Sequence, residues 1–334
     1  ARAGVFVFTT KIYSTLQRLR PQSGVAGAYS LTLLVISVAG VWLYTRMTKS
    51  GERFATITGK GYRPRRIDLG PWRYLVCAFA LLIMASTAVA PVANLLWSSF
   101  TPFMAVPSWE MVSRLSWKSY GDLYVYPFGR RALTNSLILS FASATGVMLL
   151  TSFIAWVTVK SKLRGPALLD NLAFLPIGVP GLVLGVSLLV LYLTLPIPIY
   201  GTLWILFIAY MTRYLPYGIR AASASMIQIS KELEEASVAS GASWLQTFRK
   251  VLLPLLMPGF IAGWVYIAIV SLRELSTSIL LYTQDSIVLS ILIFDMWESG
   301  LYNTVSALGV LMVIFLMLVT WAARKVGTRI GSVD

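Results

Sequence analysis

The sequence predicts an all-α membrane protein, a polytopic helical bundle, and three observations lead to that prediction. Of its 334 residues, 57% are hydrophobic and only 12% are charged, about half of the charged share of a soluble domain. The mean hydropathy is +0.73. Apolar stretches of about twenty residues, the length that crosses a bilayer, recur along the chain. They predict seven spans, at residues 28–46, 74–97, 133–159, 168–193, 202–219, 258–272 and 303–323.

Proline and glycine interrupt several of these stretches, and this predicts how the spans associate. Pro91 lies in the second span, Pro176, Pro180 and Gly181 lie in the fourth, and Pro216 lies in the fifth. In a bilayer such breaks are tolerated where neighbouring helices satisfy the freed backbone groups. We therefore expect a packed bundle rather than isolated anchors.

The composition limits the chemistry that the chain can perform. It has no histidine and one cysteine, Cys77, which lies inside an apolar stretch. The commonest general base and the commonest metal ligand are therefore absent, and the spans contain no paired carboxylates for acid–base catalysis. We expect no catalytic residue, no metal site and no cofactor. The spans also lack the acidic residues that an ion-coupled secondary transporter would use, so that class is a remote alternative.

The net charge of +15 predicts membrane orientation rather than nucleic-acid binding, because basic residues mark cytoplasmic loops. Residues 46–73 carry eight basic side chains, and the C-terminal tail carries three more. Residues 273–300, in contrast, hold four acidic side chains against Arg273 alone. These counts place the 47–71 segment, residues 220–257 and the C-terminus in the cytoplasm, with basic side chains near anionic lipid. Residues 1–27 do not fit the rule, since they fall outside yet carry Arg2, Lys11, Arg18 and Arg20.

A weak internal repeat predicts the domain organisation. Aligning Ser14 with Ser290 also pairs Leu16 with Leu292 and Gly24 with Gly300, and each copy leads into a span followed by basic residues. Tandem repeats of membrane domains are common in transporters. We expect residues 1–46 to be the tail and last span of a preceding unit, 47–71 a basic linker, and 72–334 a second unit with six spans. On this hypothesis the chain is part of a longer tandem protein.

Residues 220–257 form a long polar loop between two predicted spans. Ser230 can begin a helix that Lys231 to Glu235 favour, and Gly241 can end it at low cost. A second short helix is expected through 244–251, after which Pro254 would fix the return into the membrane. The loop is either a solvated hairpin at the interface or a docking element for a cytoplasmic partner.

The loop carries a spaced motif: Glu235-Ala236-Ser237, three residues, Gly241, nine residues, then Val251-Leu252-Leu253-Pro254. It resembles the EAA loop of binding-protein-dependent ABC importer permeases, whose pattern is Glu-Ala-Ala, three residues, Gly, nine residues, Ile-x-Leu-Pro. The resemblance implies a helical bundle of the type I ABC importer (MetI-like) permease class. It implies as partners a cytoplasmic ABC ATPase dimer and a periplasmic substrate-binding protein.

In that family the loop seats in a groove of the ATPase. Carried onto this chain, the resemblance makes Glu235 the polar contact, Ala236 and Ser237 the close-packed face, and Gly241 the turn between two short helices. Leu253 and Pro254 close the motif. The permease itself would bind no nucleotide, and the sequence has no GxxxxGK[ST] run.

Other strings resemble the ferric-iron branch of these permeases, which are often two permease units fused in one polypeptide. They are Arg213-Tyr214-Leu215-Pro216-Tyr217, Leu272-Arg273-Glu274-Leu275-Ser276, Leu280-Leu281-Tyr282-Thr283 and the segment 55–62. The resemblance implies ferric iron as cargo and the other permease unit as a partner. Related branches import thiamine, 2-aminoethylphosphonate, spermidine/putrescine, sulfate or molybdate, and these alternatives stay open.

Ionisable residues near span ends are the remaining candidates for function, because they are costly in a membrane. Arg273 and Glu274 adjoin the end of the sixth span. They either line the transport pathway, contact the binding protein, or form an ion pair at the interface. We expect Arg213, late in its predicted span, to extend to the cytoplasmic surface.

Overall fold

A computed structural model describes residues 7–17, 22–48, 70–160, 165–195 and 197–331. Within these ranges all regular secondary structure is helical, which confirms the predicted fold class. Most of the predicted linker, 47–71, lies outside the described residues. The predicted division into a preceding unit, a linker and a second unit therefore stays a prediction.

The described helices are numbered α1 to α15 in chain order. They are α1 Phe8–Leu16, α2 Ser23–Thr48, α3 Trp72–Met84, α4 Ala90–Phe100, α5 Trp109–Val112, α6 Lys118–Val125, α7 Gly129–Val159, α8 Pro166–Phe174, α9 Gly181–Thr194, α10 Leu203–Gln228, α11 Lys231–Ala239, α12 Trp244–Thr247, α13 Leu253–Leu272, α14 Leu289–Glu298 and α15 Tyr302–Gly331. Two π-helical turns, Ala85–Val89 and Phe248–Leu252, and two 3₁₀ turns, Leu175–Gly178 and Ser278–Leu280, lie between them.

Five helices of the described ranges are long and apolar enough to cross a membrane. They overlap five of the seven predicted spans: Gly24–Leu43, Trp72–Phe100, Gly129–Val159, Leu245–Leu272 and Tyr302–Ala322. The second of these shows how a membrane helix accommodates proline. The π-helical turn Ala85–Val89 directly precedes α4, whose second residue is Pro91, and it relieves the clash that a proline ring makes with the preceding turn of an α-helix. The run therefore continues as one span.

The fourth predicted span, 168–193, is not one straight helix. Leu168–Gly178 and Gly181–Thr194 meet at an angle of 105°. Proline explains the break. Pro176 is the second residue of the 3₁₀ turn Leu175–Gly178, and Pro180, at the N-cap of α9, cannot continue the preceding helix. Counted as one broken span, this pair brings the apolar crossings to six.

The fifth predicted span, 202–219, is wrong at its C-terminal end and is more polar than the other spans. α10 runs from Leu203 to Gln228, which is about 39 Å of helix. It contains Arg213, Pro216 and Arg220, and it is less apolar than the five spans named above. α10 packs against α7 and α13, and Tyr210 and Tyr214 on it are buried.

The sixth predicted span, 258–272, begins too late. The helical run is continuous from Trp244 through the π-helical turn Phe248–Leu252 to Leu272. Pro254 is not a break between a short helix and the membrane. It occupies the second position of α13, directly after the π-helical turn, where the wider turn tolerates the missing N–H group.

The structure contains a helix that the span analysis missed. α14 lies in the predicted external loop, and Leu289, Ile291, Leu292 and Met296 on it are buried. With ten residues it is too short to cross a bilayer, so a search for spans does not detect it. The first turns of α7 hold the segment before it, since Asn135 Nδ2 donates to Asp285 O and Ile287 O at 2.9 Å and Ser136 Oγ accepts from Leu289 N at 2.7 Å.

The chain forms two compact units. The first contains Ala1–Val38, Pro127–Phe294 and Phe315–Asp334, and its core is the trio α7, α10 and α13. The second contains Ala39–Tyr126 and Asp295–Ile314. Inside the second unit Asn303 Nδ2 donates to Ser98 O at 2.8 Å and to Thr101 O at 2.9 Å, which attaches the start of α15 to the end of α4.

Candidate functional site

The EAA-like loop (residues 220–257) lies in the first unit and is built around a sharp turn at Gly241. α11 ends at Ala239, and Gly241 has a φ of +83°, a left-handed conformation that glycine adopts without strain. Gly241 N donates to Val238 O at 2.9 Å and Ala242 N donates to Ser237 O at 3.1 Å. These two bonds form a Schellman motif, which caps the last carbonyls of α11. Gly241 therefore separates two helices, as the resemblance implied.

Ser237 joins the two helices of the EAA-like loop. Its hydroxyl lies 2.9 Å from that of Thr247, ten residues later, and Thr247 is buried. In the family pattern this position is alanine, which could not make the bond. Ser237 is thus half-buried between α11 and α12, whereas Glu235, Ala236 and Gly241 are exposed. Leu253 is half-buried and Pro254 is exposed at the start of α13.

A buried lysine anchors the loop to the bundle. Lys160 directly follows α7, and its side chain is only 4% exposed. Lys160 Nζ donates to Ile229 O at 2.6 Å, just past the end of α10, where a cation also interacts favourably with the helix dipole. It lies 2.8 Å from Glu234 Oε1 on α11, an ion pair without hydrogen-bond alignment. One side chain therefore connects the ends of α7 and α10 to α11.

An apolar cluster lies beside this lysine. Met226, Ile229, Leu252 and Leu256 are buried together, and the partly buried side chains Trp156, Val159 and Phe248 pack against them. The cluster takes residues from α7, α10, the π-helical turn and α13. Phe248 and Leu252, in the π-helical turn that directly follows α12, therefore join this end of the loop to the core of the three central helices.

Sequence reasoning missed this anchor. In the sequence Lys160 is a single basic residue after an apolar stretch, and Glu234 is one of the residues that favour the first turns of α11. A charged residue directly after a long apolar helix is a weak signal, because most such residues contact water. Only the folded chain brings Lys160 and Glu234 together.

A polar cavity of about 330 Å³ lies elsewhere in the first unit, between α10 and α13. Its lining residues are Arg213, Tyr214, Tyr217, Tyr266, Val270, Arg273 and Glu274. Both residues predicted as pathway or binding-protein contacts, Arg273 and Glu274, thus line one cavity. That these two residues contact cargo or the binding protein stays a prediction.

Glu274 is held by a dense set of hydrogen bonds. Its Oε2 accepts from Tyr214 OH at 2.8 Å, and its Oε1 accepts from Thr277 N at 3.0 Å and Thr277 Oγ1 at 3.1 Å. Its backbone carbonyl accepts from Ser278 Oγ at 2.9 Å and Ser290 Oγ at 2.8 Å. Glu274 therefore braces the turn after α13 as well as lining the cavity.

Arg213 does not extend to the cytoplasmic surface as expected. It lies in the middle of α10, and its Nη1 donates to Val179 O at 2.7 Å, at the break between α8 and α9. The expectation assumed a helix that ends near residue 219, whereas α10 continues to Gln228. The longer helix places the guanidinium at the cavity.

The family model described as "Binding-protein-dependent transport system inner membrane component" matches residues 148–332, more than half of the chain. A ferric transport system permease protein, FbpB of Actinobacillus pleuropneumoniae, is 27% identical over 94% of this chain and 45% of its own length. The spermidine/putrescine transport system permease protein PotC of Haemophilus influenzae is 26% identical over 72% of this chain and 91% of its own length. This chain spans about half the length of the ferric permeases it matches.

A solved structure has the same fold. A bacterial alginate ABC transporter, crystallised in complex with an alginate pentasaccharide-bound periplasmic protein, matches with a TM-score of 0.62 and 16% identity. The match covers 78% of this chain and 95% of the matched chain. The family model, the relatives and the helical architecture agree. The chain belongs to the family of binding-protein-dependent transport system inner membrane components.

Proposed function

We propose that this chain is a permease subunit of an ATP-driven importer, that its EAA-like loop docks on a cytoplasmic ATPase dimer, and that its cargo is ferric iron. Membership of the family makes it a multi-pass protein of the inner membrane. The observation that carries the docking proposal is the form of the loop. α11 presents Glu235 and Ala236 to solvent on a short helix that is capped at Gly241 and anchored at its base by Lys160.

The anchor supplies a physical route for coupling. When ATP binding closes the ATPase dimer, a loop seated on it moves with it. Lys160 and the Ser237–Thr247 contact tie α11 to the ends of α7 and α10 and to the run that continues as α13. Those three helices form the core of the first unit, so they would follow the loop. ATP hydrolysis belongs to the partner subunit, and a periplasmic binding protein would deliver cargo to the opposite side.

The ferric assignment rests on the relatives. Three of them carry ferric transport in their names, and two of these match 94% or more of this chain. Those proteins are longer than this chain, which fits a fused partner unit in the same polypeptide. A second candidate cargo is 2-aminoethylphosphonate, because a relative from Salmonella typhi named for its transport is 25% identical over 60% of this chain.

Uptake of radiolabelled ferric iron tests the proposal. Cells that carry the full-length system are compared with cells from which this gene is deleted, at iron concentrations where only high-affinity uptake operates. We expect deletion to abolish that uptake and the wild-type gene to restore it. Unchanged iron uptake would remove ferric iron as the cargo, and labelled 2-aminoethylphosphonate would then be tested in the same strains.

A further inference from the structure

We propose that the cavity lined by Arg213 and Arg273 is a cargo site for a polyatomic oxyanion, so that iron crosses here as a ferric–oxyanion complex rather than as a bare ion. The inference rests on the proposed importer function and adds the charge class of the cargo.

The two guanidinium groups have no acidic partner in the described part of the chain. Arg213 donates one N–H to Val179 O at 2.7 Å, and Arg273 is exposed. The ion pairs of the described residues join other side chains, Arg131 with Asp285 and Lys160 with Glu234. Ionisable groups within a membrane bundle are costly and are usually retained for function. Two arginines with free donors on one cavity therefore indicate an anionic ligand.

Glu274 offsets only one of the two positive charges. Its two carboxylate oxygens accept three hydrogen bonds from Tyr214 and Thr277. These bonds use three of the roughly four lone-pair sites of a carboxylate, so little acceptor capacity remains for an arginine or a metal ion. With two guanidiniums and one carboxylate on its lining, the cavity keeps an excess of positive charge, and low-dielectric walls strengthen its field.

The shape and the remaining donors suit a small oxyanion. Guanidinium groups bind carboxylate and phosphate oxygens in a bidentate geometry. The rings of Tyr217 and Tyr266, whose centroids lie 5.5 Å apart, line the same cavity. A volume of about 330 Å³ is at the small end of ligand sites, so it fits an ion of a few atoms rather than an oligosaccharide.

The excess of positive charge on the cavity argues against a cationic cargo. Spermidine and putrescine, which the PotC relatives carry in their names, would be repelled by the two arginines. Bare ferric ion needs anionic oxygen ligands. Among the described residues, no group of three or more carboxylate or thiol side chains could hold a metal ion. A ferric ion that brings its own oxyanion ligands has the anionic oxygen ligands that it needs. The oxygens of those ligands would also face the guanidiniums, so the complex fits the positive charge of the cavity.

Double-label transport tests the inference. The full-length polypeptide, reconstituted with its ATPase and binding protein in proteoliposomes, is supplied with ⁵⁵Fe(III) and ³²P-phosphate as the only oxyanion on the cargo side. We expect both labels to enter in a constant ratio. Arg273→Gln and Arg213→Gln should each lower the uptake of both labels by about tenfold or more. Arg130→Gln removes the same charge at an exposed position outside the cavity and should transport normally.

The outcomes separate the inference from the proposed function. Uptake of ¹⁴C-2-aminoethylphosphonate without iron, lost in Arg273→Gln, would uphold the oxyanion site and overturn ferric cargo. Iron entering without phosphate, uptake of ¹⁴C-putrescine, or normal transport by both cavity variants would overturn the oxyanion site and leave ATP-driven import standing.

A measurement without transport decides the site if no cargo enters. Phenylglyoxal modifies accessible arginines, and mass spectrometry gives the modified fraction at each position of the purified full-length polypeptide. Inorganic phosphate should slow the modification of Arg273, putrescine hydrochloride at equal ionic strength should not, and Arg130 should react equally under both conditions. Equal modification of Arg273 with and without phosphate would overturn the proposal.

Discussion

At the scale of single residues, Lys160 is the side chain on which the attachment of the EAA-like loop depends most. It is buried, and it bonds Ile229 O and pairs with Glu234. Removing one member of such a pair leaves the other charge poorly solvated, which is more costly than losing an exposed ion pair. Glu234 is 26% exposed, so water compensates part of that loss.

We predict that Lys160→Met loosens the loop and lowers transport. The methionine keeps the apolar stem but loses the ammonium group, and we expect a loss of about 2 kcal/mol in the attachment of α11. Hydrogen exchange of the amides of residues 231–242 should become faster, and ATP-driven uptake should fall. Lys250→Met, at an exposed lysine of the same loop, is the matched control. Unchanged exchange in Lys160→Met would contradict the anchoring role.

Glu234 allows a test of whether the pair itself matters. In a cycle of Lys160→Met, Glu234→Gln and the double variant, the double variant should lose less than the sum of the two single losses, by about 1 kcal/mol. The opening free energy of the loop, obtained from hydrogen exchange, is the measured quantity. Strict additivity would mean that the bond from Lys160 to Ile229 O alone provides the anchor.

A second prediction at the residue scale concerns Gly241. No heavy atom would lie within 4 Å of a Cβ at this position, apart from its own neighbours, so the constraint is the positive φ and not space. A β-branched residue is strongly disfavoured there, and asparagine is tolerated. Gly241→Val should insert in the membrane normally but reduce ATPase co-purification and uptake, while Gly241→Asn should keep most of both. Full association and transport by Gly241→Val would show that the loop is not the coupling element.

At the scale of elements, close approach between helices sets the core of the first unit. A Cβ at Gly218 on α10 would lie 2.6 Å from Val147 Cγ1 and 2.7 Å from Thr151 Oγ1 on α7. Small residues at such contacts let membrane helices pack backbone to backbone. Both neighbours are β-branched and buried, so neither can move aside easily.

Gly218→Ala should therefore destabilise the bundle. We expect a loss of about 1–3 kcal/mol from overpacking, seen as a lower midpoint of thermal unfolding in detergent micelles. Gly40→Ala on α2 is the control, because a Cβ there meets no atom within 4 Å. An equal midpoint for the two variants would mean that α7 and α10 can separate without cost.

At the scale of the whole molecule, the charge distribution predicts which ends of the helices face the cytoplasm. The segment containing Ser113 and the EAA-like loop containing Ser240 are expected on opposite sides of the membrane, and both serines are exposed. Cys77 lies on the apolar run Trp72–Phe100, whose most apolar window has no buried residue. Such a surface is typical of a helix in lipid.

Cysteine labelling with a membrane-impermeant maleimide tests this arrangement. Added outside intact cells, the reagent should label Ser113→Cys and should label Ser240→Cys only after permeabilisation. Cys77 should stay unlabelled until detergent removes the lipid, and it serves as the internal control. Labelling of Ser240→Cys from outside would reverse the proposed orientation and exclude docking on a cytoplasmic ATPase.

The sequence by itself determined the helical membrane class, most of the spans and the spaced motif of the EAA-like loop. Apolar length and local turn chemistry act over a few residues, so they can be read along the chain: the 29-residue run Trp72–Phe100 and the Gly241 turn are examples. Only the tertiary structure decided the 105° break, the course of α10 and the depth of Arg213. It also decided the pairing of Lys160 with Glu234, because contacts between residues 74 positions apart depend on how helices pack, and packing leaves no periodic signal in the sequence.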